Sequence, residues 1–276
     1  MIDVVRSAIE QGQVGERLWM YSNYHCNLAC VYCLTESAPG VDRRALAPDV
    51  MIEIATEAVE LGFLALGVTG GEPFLVPEMS ELAAELGRIL PLVILTNGTL
   101  FAGARLERIR KLGGTDVRLQ ISLDRSEPVA NDEMRGFENF KKVVEAVPRL
   151  IDMGVGVRIA TTLAFTDPDD LARLCELHRS LGVDDKDHVV RGVVRRGRAL
   201  SEGLGEPVGI EQLSPELTIT DDGAFWSPFG PTVVGGRLDT DLMVTRGTRP
   251  LRRAAEALVG LVTDSVYAGS TDDRFT

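Results

Sequence analysis

The sequence has little of three things: long apolar runs, basic charge and cysteine. No apolar run approaches about 18 residues, which excludes a transmembrane helix, and Met1–Met20 lacks the basic-then-apolar pattern of a signal peptide. The 41 acidic side chains outnumber the 29 basic ones, and the formal charge of −12 argues against a nucleic-acid partner. In a chain expected to be cytoplasmic, the four cysteines predict metal-binding or structural thiols rather than disulfides.

What the chain does have is a repeating apolar pattern. Hydrophobic residues make up 45% of its 276 residues, enough for a sizeable core. A short apolar run followed by an amphipathic helical pattern recurs between residues 17 and 194. Six such units predict an α/β fold with a parallel sheet, built as a partial (β/α)6 TIM-like barrel whose chemistry belongs at the carboxyl ends of the strands. The predicted strands are Leu18–Ser22, Ala65–Thr69, Leu92–Thr96, Val117–Leu123, Val157–Leu163 and His188–Val194.

Proline in the first turn marks three of the helices that separate these strands. The residue before one of them, Asp167, is a predicted N-cap. The predicted helices are Pro48–Leu61, Pro77–Ile89, Ala102–Leu112, Phe137–Met153 and Pro168–Leu181.

The pattern divides the chain into a helical lead-in over residues 1–16, a core over 17–195 and an extension over 196–276. Because the first strand begins near residue 17, we expect no upstream domain that binds a leader peptide. This expectation disfavours a role in peptide modification without excluding it.

The C-terminal extension is rich in glycine and proline and has little regular pattern. The turn Asp221–Gly223 predicts a hairpin between Leu217–Thr220 and Ala224–Trp226, and a last helix is predicted over Pro250–Thr263. We expect this short extension to cover the mouth of the barrel.

Three of the four cysteines fall within eight residues, directly after the first strand. The spacing of Cys26, Cys30 and Cys33 is C-x3-C-x2-C, which lets three thiolates ligate three irons of an iron–sulfur cube and leaves the fourth iron open. A structural zinc site is the alternative, but zinc needs four closed ligands, and His25 is too near Cys26 in sequence to complete one tetrahedron. The fourth cysteine, Cys175, lies on the apolar face of a predicted helix and is expected to pack there.

The stretch Ser22–Cys33, SNYHCNLACVYC, resembles the cluster loop of radical S-adenosylmethionine (SAM) enzymes. The resemblance implies one [4Fe–4S] cluster that binds SAM through its open iron and cleaves it reductively to methionine and a 5′-deoxyadenosyl radical. It also implies that Tyr32, the aromatic residue before the third cysteine, packs near the adenine.

A second motif follows one βα unit later. Gly70, Gly71 and Glu72 begin a Gly-Gly-Glu-Pro sequence at the end of the second strand, where glycines allow a ligand to approach the backbone. The sequence is similar to the family motif that holds the SAM amino group, which assigns these three residues to SAM. A plain βα turn is the alternative for the motif taken by itself.

Polar residues also end the later strands. The resemblance places Ser122 and Asp124 near the SAM ribose or carboxylate, and Thr96 and Asn97 beside the substrate. Thr162 ends the fifth strand, where a ribose contact is possible. Each of these residues could instead simply cap its strand.

Arg191 is a charged residue within the apolar sixth strand, Val-Val-Arg-Gly-Val-Val. A charge in such surroundings needs an anion or a water-filled mouth. A carboxylate of SAM or of the substrate and an internal ion pair are equally good partners for it.

The segment after residue 193 resembles the radical SAM branch with a SPASM or twitch extension, whose extra cysteines bind auxiliary clusters. This chain has no cysteine beyond residue 175, so we expect a single cluster. The departure argues against chemistry that passes a substrate electron to a second cluster.

Together these features predict a radical SAM enzyme acting on a small polar metabolite, a sugar, nucleoside or amino-acid derivative. Radical C–C coupling in natural-product biosynthesis, as in tunicamycin-type nucleoside antibiotics, is one concrete reaction. The alternatives are a peptide-modifying enzyme and a non-catalytic iron–sulfur protein. The resemblance also implies an electron donor such as flavodoxin or ferredoxin.

Overall fold

The computed structural model describes residues 3–163 and 168–270, with side chains described as far as Asp264. The predicted N-cap Asp167 lies outside the described residues. The core strands are β1 (Arg17–Tyr21), β2 (Ala65–Thr69), β3 (Leu92–Thr96), β4 (Val117–Ser122), β5 (Gly156–Leu163) and β6 (His188–Gly192). The helices are α1 (Val4–Glu10), α2 (Pro48–Leu61), α3 (Met79–Ile89), α4 (Gly103–Ile109), α5 (Pro128–Arg135), α6 (Asn139–Asp152), α7 (Pro168–Ser180), α8 (Arg198–Ser201) and α9 (Leu251–Ser270).

The six core strands pair consecutively and in parallel, from β1 to β6. The α/β class and the parallel sheet predicted from the sequence are therefore confirmed. The predicted bounds of β2, β3 and α2 are those observed, because each apolar run there ends at a polar or glycine residue that also ends the hydrogen-bonded ladder.

The other predicted core strands and helices differ from their predicted bounds by one to three residues at one or both ends, and one core helix was not predicted. Strand β6 ends at Gly192 rather than Val194, because the Val193 carbonyl accepts a hydrogen bond from the Glu206 amide and the chain leaves β5. Helix α4 ends at Ile109, and residues 110–112 continue as a 3-10 turn. Helix α5 was not predicted; it is short, and its polar sequence gave no apolar stripe.

The strand register sorts side chains onto two faces. Successive residues of a strand point to opposite faces, and paired residues share one face. Leu18, Met20, Leu66 and Ile94 are fully buried on the face that the helices cover. The other face lines the barrel interior, and its members are Arg17, Trp19, Tyr21, Gly67, Val93, Arg118, Gln120, Ser122, Arg158, Thr162 and Arg191.

The extension continues the same sheet beyond β1. Its strands β7 (Thr218–Ile219) and β8 (Ala224–Phe225) form the predicted hairpin, and β7 also pairs in parallel with β1. β9 (Val233–Val234) and β10 (Arg237–Leu238) form a separate ribbon, and β11 (Met243–Thr245) pairs with β8. Helix α9 packs on α1 and α2.

Among the described residues, no helix combines the length and the apolar character that crossing a membrane requires.

Candidate active site

The three clustered cysteines face one cavity at the carboxyl ends of the core strands. They lie in the long loop between β1 and α2, and Cys26, Cys30 and Cys33 all line a cavity of about 460 Å³. The carboxyl end of a parallel barrel is where ligands are bound in α/β proteins. The sequence prediction that these thiols lie together at the mouth agrees with this placement.

Cys26 of this loop is buried, Cys30 and Cys33 are partly exposed, and the Cys26 sulfur receives polar contacts. The Leu28 amide donates to Cys26 Sγ at 3.4 Å, and Asn97 Nδ2 lies 3.6 Å from the same sulfur. Burial raises the pKa of the Cys26 thiol to about 12 and that of Cys30 to about 11. Thiols in such surroundings stay protonated and inert until a metal takes the proton's place.

The arrangement fits a multi-iron cluster better than a single ion. Within residues 3–163 and 168–270, no three Cys, His, Asp or Glu side chains converge as ligands of one metal ion. Thiolates that each bind a different iron of a cube lie farther apart than thiolates that share one ion, and the three cysteines surround a cavity instead of a point. His25, the alternative zinc ligand, does not join them in such a set.

The glycines of the second motif are required by the cysteine loop itself. Gly70 adopts a φ of +134°, and a Cβ there would lie 2.3 Å from the Asn23 carbonyl oxygen. A Cβ on Gly71 would lie 2.0 Å from the His25 carbonyl oxygen. The Gly71 and Glu72 amides donate to these two carbonyls at 2.9 Å each, so the motif holds the start of the loop as well as lining the cavity.

Glu72 lies beneath the cavity and does not line it. Its side chain is fully buried, and one carboxylate oxygen accepts from the Thr96 hydroxyl at 2.8 Å and the Phe74 amide at 3.1 Å. The other oxygen accepts from the Asn97 amide at 2.8 Å. The chain's own donors therefore satisfy the carboxylate that the family motif assigns to SAM.

Asp124 is also fully buried and lies outside the cavity lining. It forms an ion pair of 2.9 Å with Arg135 and accepts from the Thr162 amide at 2.8 Å. The Tyr32 hydroxyl donates to the same carboxylate and is itself contacted by Arg135. Asp124 thereby joins the cysteine loop to β4, β5 and α5.

Arg135 is the residue that the sequence analysis missed. It ends α5, its side chain is only 6% exposed, and it lines the cavity beside the cysteines. Its Nε is buried without a hydrogen-bond partner. Pro128 and Gly136 frame this helix and were the available signal, but the lack of an apolar stripe hid it.

The remaining predicted residues do line the cavity. Trp19, Tyr21 and the extension segments 212–214 and 227–229 complete its wall. The predicted residues found there are Tyr32, Gly70, Gly71, Thr96, Asn97, Ser122, Thr162 and Arg191.

Residues 20–178 match the family model described as the radical SAM superfamily. The segment covers more than half of the chain and contains both motifs. Among curated proteins, the chain is 29% identical over 230 residues to the mycofactocin maturase MftC of Mycolicibacterium smegmatis, covering 83% of this chain and 51% of that protein. It is 32% identical over 168 residues to a GTP 3′,8-cyclase of Syntrophomonas wolfei, covering 55% of this chain and 50% of the cyclase.

Two solved structures share the fold over most of the chain. SuiB of Streptococcus suis bound to SAM superposes with a TM-score of 0.59 at 16% identity, covering 94% of this chain and 51% of SuiB. Another SuiB crystal contains the precursor peptide SuiA. The protein anSMEcpe with bound SAM gives a TM-score of 0.64 at 12% identity, covering 89% of this chain and 84% of that one. The chain spans about half the length of the curated relatives it matches.

Proposed function

This chain belongs to the radical SAM superfamily, and we propose that Cys26, Cys30 and Cys33 hold its [4Fe–4S] cluster at the barrel mouth. Enzymes of this superfamily cleave SAM reductively. When bound, the cluster would supply the electron for that cleavage and so give the site its radical chemistry. The observation that carries the proposal is the convergence of three free thiols on one cavity.

The residues around the cavity would orient SAM. Arg135 presents a buried guanidinium with a free Nε, which suits the SAM carboxylate, and Asp124 fixes its position. Tyr32 carries an aromatic ring into the same wall, and Ser122 and Thr162 offer hydroxyls for the ribose. Glu72 would not contact SAM itself but would position Thr96 and Asn97 through hydrogen bonds. An electron donor such as flavodoxin or ferredoxin would deliver the reducing electron.

The iron and sulfide content tests the one-cluster proposal. Anaerobic reconstitution should give about four iron and four sulfide ions per chain, because three cysteines hold one cube. A value near eight would mean a second cluster and contradict the proposal. Cys175→Ala, which changes a cysteine outside the loop, is the matched control and should keep the full content.

We propose that the substrate is a peptide, presented to the cavity between the core (17–195) and the extension (196–276). The match to MftC covers 83% of this chain, more than the core alone accounts for, and a SuiB crystal contains a precursor peptide. The extension supplies part of the cavity wall, with the apolar Phe229 beside Trp19 and Tyr21 from β1. A wall of large aromatic side chains suits contact with a peptide side chain.

A small polar metabolite, such as a sugar, nucleoside or amino-acid derivative, is the second candidate substrate. Arg191 favours it, because this guanidinium lines the cavity and forms no ion pair within the described part of the chain. Radical coupling of the tunicamycin type would fall in this class.

Substrate-stimulated release of 5′-deoxyadenosine separates the two candidates. The reconstituted enzyme, SAM and dithionite are incubated with short peptides encoded beside the gene, or with a set of nucleosides, sugars and amino acids. Peptide-specific stimulation, with deuterium from a labelled peptide recovered in the 5′-deoxyadenosine, is the expected result. Stimulation by the small molecules alone would replace the peptide proposal with the second candidate.

A further inference from the structure

The inward face of this acidic protein's core sheet carries four arginines. Arg17 lies on β1, Arg118 on β4, Arg158 on β5 and Arg191 on β6. The strand register places all four on the inward face, together with Trp19, which lines the cavity. The chain as a whole has a formal charge of −12, so this concentration of positive charge runs against its composition.

Three of these four arginines have no anionic partner among the residues that the structure describes. Arg118 pairs with Asp187, whereas Arg17, Arg158 and Arg191 form no ion pair there. The Nε atoms of Arg17 and Arg158 are buried without a hydrogen-bond partner. A buried guanidinium nitrogen without a hydrogen-bond partner costs stability, so these two Nε atoms and the absence of counter-ions require an explanation.

The positive charges of the other three arginines act on Arg158. Burial lowers the pKa of the Arg158 guanidinium, and the positive charges of Arg17, Arg118 and Arg191 lower it further. The carboxylate of Asp187 opposes this effect only in part. Glu216, an acidic residue that lines the cavity, accepts a hydrogen bond from the Trp19 indole.

We propose that the barrel interior is a binding site for an oxyanion of the substrate, a carboxylate or a phosphate, which Arg191 contacts in the cavity while Arg158 and Arg17 attract it from below. The planar guanidinium fork matches both oxyanions, which accept two parallel hydrogen bonds from it. The proposal rests on the proposed function in one respect only, namely that the oxyanion belongs to that enzyme's substrate.

A purely structural role for these arginines predicts the opposite stability change. A structural arginine stabilises the ligand-free protein, so its removal lowers the melting temperature. An arginine whose role is to bind an anion is repelled by the neighbouring arginines when no anion is bound. Arg158→Gln should therefore raise the melting temperature of the anion-free protein by roughly 2 °C and weaken the response to anions.

Thermal unfolding of the reconstituted holoenzyme tests the site. SAM is present, reductant is left out, and inorganic phosphate or acetate replaces chloride at constant ionic strength. We expect a saturable rise in melting temperature with one of the two probes. Arg191→Gln should weaken the apparent affinity about tenfold and Arg158→Gln about threefold. Arg253→Gln, an exposed change of the same charge on α9, should respond like the unaltered protein.

The two probes identify the source of the oxyanion, since phosphate points to a phosphate ester and acetate to a carboxylate. The proposal is overturned if neither probe acts beyond chloride, or if all three variants respond alike. It is also overturned if the response appears only in a parallel titration without SAM, because Arg191 would then bind the SAM carboxylate. Should Arg191→Gln fail to fold, Arg158→Gln alone tests the proposal, through its higher melting temperature without an anion and its weaker response to anions. No turnover is needed, so failure here leaves the SAM-cleavage proposal untouched.

Discussion

Two sets of charged side chains in this barrel differ in whether the chain itself supplies their partners. The carboxylates of Glu72 and Asp124 at the mouth are fully buried, and hydrogen bonds or an ion pair from the chain satisfy them. The arginines Arg158 and Arg191 on the inward face have no such partners within the described ranges. Since a buried polar group is costly unless it is paired, the first set stabilises the shape of the mouth, whereas the second lacks the partner that a ligand would supply.

Among the variants that test this difference, Asp124→Ala is expected to lose the most unfolding free energy. The change leaves Arg135 charged and buried without its counter-ion and leaves the Thr162 amide without an acceptor. Breaking a buried pair by removing one partner costs about 3–5 kcal/mol of unfolding free energy. Urea unfolding at neutral pH measures this loss.

Asp124→Asn is the matched variant for that experiment. It keeps the acceptor oxygen for Thr162 and removes only the charge, so its loss should be clearly smaller. Equal stability of Asp124→Ala and the unaltered protein would show that the ion pair does not stabilise the mouth.

Glu72→Gln should give the next largest effect, with a distinctive pH dependence. Burial raises the pKa of Glu72 above its ordinary value, although the Asn97 amide and the Thr96 hydroxyl oppose this. The folded protein therefore binds the proton more tightly than the unfolded chain, and this contribution to stability is lost as pH rises through the window above the unfolded pKa of about 4.3.

The stability of Glu72→Gln relative to the unaltered protein should thus depend on pH. At pH 4 we expect the variant to be less stable by about 1–3 kcal/mol, because an amide cannot replace the carboxyl oxygens as acceptors on both sides. The difference should narrow as pH rises to 7, by at most about 1.4 kcal/mol per pH unit. Glu85→Gln, an exposed change on α3, should show no such trend. A difference that stays constant with pH would contradict the assignment.

His178→Leu should change the unfolding free energy least at neutral pH. It tests whether an uncharged buried group without a partner also costs stability. His178 is 1% exposed, and both ring nitrogens are buried without a partner. Burial, with His188 adding to it, lowers the pKa of His178 to about 3. Replacing the imidazole with an apolar side chain should therefore raise the unfolding free energy by about 1 kcal/mol at pH 7.5.

The same variant should also be less sensitive to acid. A histidine with a depressed folded pKa loses stability for the protein as pH falls from about 6.5 towards 3, because only the unfolded chain takes up the proton. Chemical denaturation between pH 7.5 and 5 checks both statements. A variant that is less stable at pH 7.5, or as acid-sensitive as the unaltered protein, would show that the imidazole has a partner.

Much of this architecture could be predicted from residue patterns. The period of the apolar runs fixes β2, β3 and α2, and the spacing of the three cysteines indicates the cavity they line. The elements that the residue patterns did not predict were missed for physical reasons. Helix α5 carries Arg135 but is held by polar contacts instead of an apolar stripe, so periodicity could not find it.

The two motif carboxylates show a different limit. Residue type and position predict that Glu72 and Asp124 lie near the mouth, and they do. A carboxylate in this position can point into the cavity or accept hydrogen bonds from neighbouring amides. Tertiary packing decides between the two, and the local sequence pattern does not reveal it. The same limit hid Arg17 and Arg158, since only the strand register shows that they share the inward face with Arg191.

Release of 5′-deoxyadenosine by the reconstituted enzyme tests most directly whether Cys26, Cys30 and Cys33 hold a cluster that cleaves SAM. Unaltered protein with a full four-iron cluster, SAM and dithionite should form it from SAM, and Cys30→Ala, which removes one thiolate, should form none above background. Cys175→Ala, outside the cavity lining, should match the unaltered protein. A well-formed cluster that yields no 5′-deoxyadenosine, or equal yields from Cys30→Ala and the unaltered protein, would contradict the account.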